Sequence, residues 1–155
     1  PYGTEALSTL RIEMGHVAGS ELDGRTIPYD NGLEGMISKK KDFIGKRSLS
    51  RKSFIEEDRQ KVVGVVPIDK KTSIPEGSHL VKDAKAQLPN PKLGYISASC
   101  WSVEYDNPFS LAIIKDGKNM IGQKLFAMSP LKNKIIPVEI VSSHYVDPKG
   151  ERVRS

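Results

Sequence analysis

Few side chains in this 155-residue chain carry both the type and the spacing that chemistry requires. His16, His79 and His144 stand far apart with no metal-ligand spacing, so each reads as a surface or turn residue and no metal site is expected. Cys100, the single cysteine, has neither a neighbouring histidine nor a CxxC partner and reads as a buried, inert thiol. The run "GKRSLS" lacks the upstream glycine of a phosphate-binding loop, and no serine sits in a nucleophile elbow. No residue is therefore assigned a catalytic role. Glu13 is the exception worth weighing. On a helical wheel at ~100° per residue it falls beside Ala6, at the edge of an apolar arc, with Arg11 beyond the opposite edge. A carboxylate placed there is half buried and needs donors. Two readings stand open: an ion pair with Arg11 or a lysine, or a ligand anchor. A heteroaromatic ring presenting two adjacent N–H groups would match a carboxylate in bidentate fashion.

The element that must position Glu13 is a helix in "GTEALSTLRIEMGHVAG", residues 3–19. Thr4 is its expected cap, Glu5 suits the dipole of the first turn, and Ala6, Leu7, Leu10 and Met14 form its expected buried face. Gly15 and Gly19 bracket the exit. "SELDGRTIPYDNGLEG" is rich in turn signals, at Asp23-Gly24, Pro28 and Asn31-Gly32. A short extended run, "GMIS", then leads to a second helix capped by Asp42 and carrying Phe43, Ile44 and Leu49. Residues 51–61 are polar and charged, a linker or helix tail.

From residue 60 the pattern changes to short apolar, β-branched runs: "KVVGVVP", "SHLVK", "LGYISAS", "FSLAIIK", "QKLFAM" and "KIIPVEIV". Between them lie "IPEG", "PNPK", "YDNP", "KDGKN" and "SPLKNK", each with plausible turn chemistry. Strands at this spacing predict an antiparallel barrel or sandwich over residues 60–155. Residues 1–58 form a first, different piece.

Composition bounds the partners. The chain is 37% hydrophobic and 28% charged, enough for one or two compact domains. No apolar run approaches the ~18 residues of a membrane span. One cysteine permits no internal disulfide, which points to a reducing, cytoplasmic setting. The net charge of +5 admits a polyanion, but a solvated surface or an acidic partner is the favoured reading. With aromatics at 6%, a non-enzymatic RNA-binding barrel lacks stacking platforms, and nucleic acid is not the expected partner. The chain opens without Met two residues before a helix, so a fragment of a longer protein, cut inside a domain, is expected.

Three stretches resemble a known family: "GTEALSTLRIEMGH", "DGRTIPYDNGLEGMISKKKDFIGKRSLSR" and "GYISASCWSVEYDNPFSLAIIKDG". They are similar, in order and over nearly the whole chain, to the folate-binding aminomethyltransferases. This family includes the glycine cleavage T-proteins and matching domains of sarcosine- and dimethylglycine-oxidising enzymes. The likeness runs most fully to the C-terminal end of sarcosine oxidase α subunits, with "KKKDFIGK", the SxxWS stretch at 99–102 and the ending "YVDPKGERV" as the more specific signs. T-proteins carry proline where this chain has Val103, a departure that bears on the conformation of that loop and not on the family. The resemblance implies an α+β architecture: the end portion of a folate-binding aminomethyltransferase core in residues 1–58, then an antiparallel β-barrel domain in 60–155. It implies that Glu13, as the glutamate of "LRxE", binds the pterin of tetrahydrofolate. Lys39, Lys40 or Lys41 would meet the anionic tail, and Tyr2 and Trp101 would line the pocket. The intact enzyme would oxidise sarcosine at a flavin and deliver the one-carbon unit to tetrahydrofolate, giving 5,10-methylenetetrahydrofolate. FAD, FMN and NAD sites, and the partner domains and subunits of a heterotetramer, would lie outside this fragment, which alone is expected to be inactive. Within the family the alternative is a T-protein, whose partner is a lipoylated carrier protein.

Overall fold

The computed structural model describes residues 1–56, 58–85, 92–152 and 154. Its centre is a closed six-stranded antiparallel barrel: β1 Gln60–Pro67, β2 His79–Val81, β3 Gly94–Ser102, β4 Asn107–Lys115, β5 Lys124–Ser129 and β6 Lys134–Val141, in the order β1-β4-β3-β2-β5-β6. All six apolar runs became strands, and closure decides for the barrel over the sandwich. Closure leaves no edge strand, which a sandwich would have to protect. The "PNPK" turn falls largely outside the described residues, as does Val153 of the chain's ending.

The barrel interior is filled by Val65, Leu80, Ile96, Ile114, Ala127, Val138 and Ile140. A second cluster lies against it, formed by Ile12, Val66, Ala98, Phe109 and Leu111. This explains β4, which is buried at every position from Asn107 to Ile114. One of its faces lines the barrel, and the other lies beneath helix α1, Thr4–Glu13, and its cluster. Gly64 in β1 is required by that packing. A Cβ there would stand 2.3 Å from the Ser142 carbonyl oxygen and 2.8 Å from the Phe109 ring.

Residues ahead of the barrel wrap it with little regular structure: a 3-10 turn at Glu34–Met36, and the short helices α2 Lys46–Leu49 and α3 Lys52–Ile55. They are tied down by Asp30. Its carboxylate takes a two-pronged grip from Arg59 at 2.9 and 2.6 Å, and its carbonyl accepts the Val62 amide of β1 at 2.8 Å.

Several local expectations are corrected. Gly3, not Thr4, precedes α1, and no side chain caps the helix. The face of Ala6, Leu7 and Leu10 is exposed, Leu7 and Leu10 at 52% each, while Ile12 and Glu13 are buried. Only the last turn of α1 lands on the second cluster, so the wheel averaged over a helix whose burial is confined to one end. Asp42 caps nothing: α2 begins after Gly45, whose φ of 95° suits glycine, and Ile44 is fully exposed. Of "GMIS", Gly35 and Met36 lie in the 3-10 turn, and Ile37 after it is extended. The "KDGKN" separator contains one further helical turn, α4 Gly117–Met120. His79 is a half-buried residue of β2 whose Nδ1 is buried without a hydrogen-bond partner among the described residues. Cys100 is half-buried rather than buried.

Candidate functional site

Glu13 closes α1 and is only 6% exposed, more deeply placed than the half-burial expected from the wheel. Two distant segments converge on it. Its main-chain carbonyl accepts the Tyr145 and Val146 amides at 3.2 and 3.0 Å. Its side-chain Oε1 accepts the Val103 amide at 2.9 Å, from the turn between β3 and β4. Gly15, at a φ of 69°, lets the exit loop pass beneath the Ser143 carbonyl, which a Cβ would meet at 2.5 Å.

The ion-pair reading of Glu13 fails on the partner it named. Arg11 turns to Glu21 instead, 2.8 Å away, with the Glu21 side chain wholly buried. Among the described residues Glu13 forms no salt bridge, and its Oε2 receives no hydrogen bond. With one main-chain donor, on Oε1, the carboxylate retains acceptor capacity for further N–H groups. Burial, and then the Glu13 charge nearby, push the Cys100 thiol up to about 12, so it stays protonated and unreactive.

Trp101 lies in the same β3–β4 hairpin, 45% exposed, its indole N–H donating to Asp106 at 3.2 Å. The hairpin is braced from below: the Tyr105 amide donates to Ser102 Oγ at 3.3 Å, and Tyr145 stacks on Phe109 with ring centres 4.2 Å apart while pairing with Asn107. The hairpin that carries Trp101 thus also carries Val103, the residue bonded to Glu13. Tyr2 is 72% exposed and lies ahead of the opposite end of α1, a helix of ten residues about 15 Å long at 1.5 Å per residue. Lys39 and Lys40 lie exposed in the loop after the 3-10 turn, and no described hydrogen bond or ion pair joins them to Glu13 or Trp101. Lys41, rather than either of them, borders an apolar cleft of about 410 Å³ lined by Pro28, Leu33, Met36, Phe43 and Leu49. No cluster of metal-ligating side chains occurs among the described residues.

Val103 and Tyr145 escaped the sequence reading as site residues because both act on Glu13 through main-chain N–H groups, which residue type does not reveal. The one signal available was the departure from proline at 103, since proline has no N–H to give.

Helix, braced hairpin and barrel together have the architecture of an aminomethyltransferase's C-terminal region. The crystal structure of the glycine cleavage system aminomethyltransferase T from Bartonella henselae superposes with a TM-score of 0.67, covering 92% of this chain and 38% of that one at 20% identity, a likeness of fold. No protein-family model matches. An aminomethyltransferase of Thermosipho melanesiensis is 26% identical over 142 residues, 91% of this chain and 36% of its own length. More particularly, the chain is homologous to the C-terminal part of the sarcosine oxidase α subunit: that of Rhizobium meliloti is 39% identical over 155 residues, 99% of this chain. The chain spans 16% of the length of that relative. Among the described residues no helix is long and apolar enough to cross a membrane.

Proposed function

We propose that this chain is the folate-facing part of a sarcosine oxidase α-type enzyme, with Glu13 as the anchor for the pterin of tetrahydrofolate. The observation that carries the reading is the state of Glu13: buried, held by one main-chain N–H on Oε1, and, among the described residues, with no salt bridge and no donor to Oε2. Paired N–H groups of a pterin are the complement such a group needs. Trp101, on the same hairpin, borders the ring. Lys39 and Lys40 supply positive charge toward the anionic tail, and Tyr2, exposed ahead of α1, is left to line the part of the pocket that the larger core completes. Bound tetrahydrofolate supplies the acceptor for a one-carbon unit; this chain's residues bind and orient it.

On this reading residues 1–58 complete a larger folate-binding core and 60–155 form its C-terminal barrel. Flavin and nicotinamide sites, the oxidation of sarcosine, the partner subunits and a cytoplasmic setting belong to the whole enzyme. Identity of 39% to a sarcosine oxidase α subunit, against 26% to an aminomethyltransferase, favours the oxidase over the T-protein. The test is calorimetric titration with tetrahydrofolate of the chain and of Glu13→Ala. Binding that the substitution weakens by about tenfold or more supports the reading. Equal binding by both proteins sinks it.

A further inference from the structure

The geometry points to Val103 as the positioning residue of the Glu13 carboxylate, with the barrel's β3–β4 hairpin acting as the arm that delivers it. This inference rests on the proposed role of Glu13 and names the element that aims it. Glu13 stands on the last turn of a ten-residue helix, where a side chain would normally be free to choose its rotamer. Here the main chain at 13 is pinned by the Tyr145 and Val146 amides, and the carboxylate is pinned separately by the Val103 amide at 2.9 Å. Two fixed points on one residue leave the carboxylate a single direction.

The pin itself is rigid. Val103 follows Ser102, fully buried, whose hydroxyl accepts the Tyr105 amide, and the turn ends at Asn107, 6% exposed and bonded to Tyr145. Tyr145 thus touches both supports: its amide holds the Glu13 carbonyl, and its phenol holds the base of the hairpin that carries Val103. The Val103 side chain takes no part, being 80% exposed. Only its N–H matters, and that N–H leaves Oε2 for a ligand. The barrel is therefore part of the binding machinery rather than a passive support for it, because one of its turns sets the direction of a carboxylate on the preceding helix.

The first test needs no ligand. In amide spectra of the full chain, the Val103 N–H should resonate downfield and exchange slowly, and Glu13→Gln should move it upfield while circular dichroism stays native. An unmoved Val103 amide overturns the proposal. The second test is titration with tetrahydrofolate. Val103→Ala keeps the N–H and should bind within about twofold of the parent, whereas Val103→Pro removes it and should lose about tenfold or more. In a Glu13→Ala background Val103→Pro should change nothing further; an equal loss in both backgrounds, or equal affinity of the Ala and Pro variants, overturns the positioning role. Should Val103→Pro fail to fold, the amide shift decides. Absence of tetrahydrofolate binding by the parent chain would mean that the pocket needs the larger core that residues 1–58 complete, and the amide shift alone would then decide whether Val103 holds Glu13.

Discussion

Among the described residues three buried carboxylates are satisfied in different ways, and the contrast separates two ion-paired groups from the one proposed to meet a ligand. Asp30 is 1% exposed and gripped at both oxygens by Arg59. Removing one partner of such a pair strands the other, so Asp30→Ala should destabilise by about 3 kcal/mol in urea unfolding. Glu21 is wholly buried; burial opposes its charge, but hydrogen bonding from Ser97, Ala18 and Ser20, together with Arg11, holds its pKa below the ordinary 4.5. Its folded pKa is depressed, so its contribution is fully present above pH 4.5 and is lost as pH falls through the folded value. Stability measured from pH 6 downward should therefore decline, and Glu21→Gln should flatten that decline. Glu13 forms no salt bridge among the described residues, as expected of the ligand-binding role proposed for it. Glu13→Gln should shift stability by no more than about 1 kcal/mol, far less than Asp30→Ala.

Among the elements, α1 and the β3–β4 hairpin matter most, and both depend on how closely β1 lets other chain approach. Gly64 admits the Phe109 ring, which in turn stacks under Tyr145, the residue that touches both supports of Glu13. Gly64→Ala forces a Cβ against backbone and ring, and should cost about 2 kcal/mol in thermal unfolding. Because the disturbance runs through Phe109 to the hairpin, emission from the single tryptophan, Trp101, should shift as well. The strands themselves were readable in the sequence, since β-branched runs between turn residues are local signals. The buried face of α1 was not. A wheel assumes that a helix packs along its length, and this one is buried only at Ile12 and Glu13.

At the scale of the molecule, the segment before residue 60 and the barrel share a core. Ile12 fills a cluster otherwise built from strands, with Val66, Ala98, Phe109 and Leu111. A variant starting after residue 16 should expose that cluster, bind a hydrophobic dye such as ANS, and unfold at a lower temperature. A native-like melting curve without dye binding would show the helix to be dispensable. Apolar exposure is also high ahead of the barrel, at Leu7, Leu10, Met36 and Ile44. Concentration-dependent self-association in ultracentrifugation is the expected consequence.

The sequence by itself determined the strands and the family resemblance, and it singled out Glu13 as the carboxylate to weigh. Each of these is carried by residue type and short-range spacing. Tertiary structure alone decided that the strands close into a barrel, that Arg11 goes to Glu21, and that a main-chain N–H ninety positions away holds Glu13. Every residue except proline owns such an N–H, so nothing in the side chains could announce which one would be used. Its selection follows from where the hairpin lies once the barrel has closed.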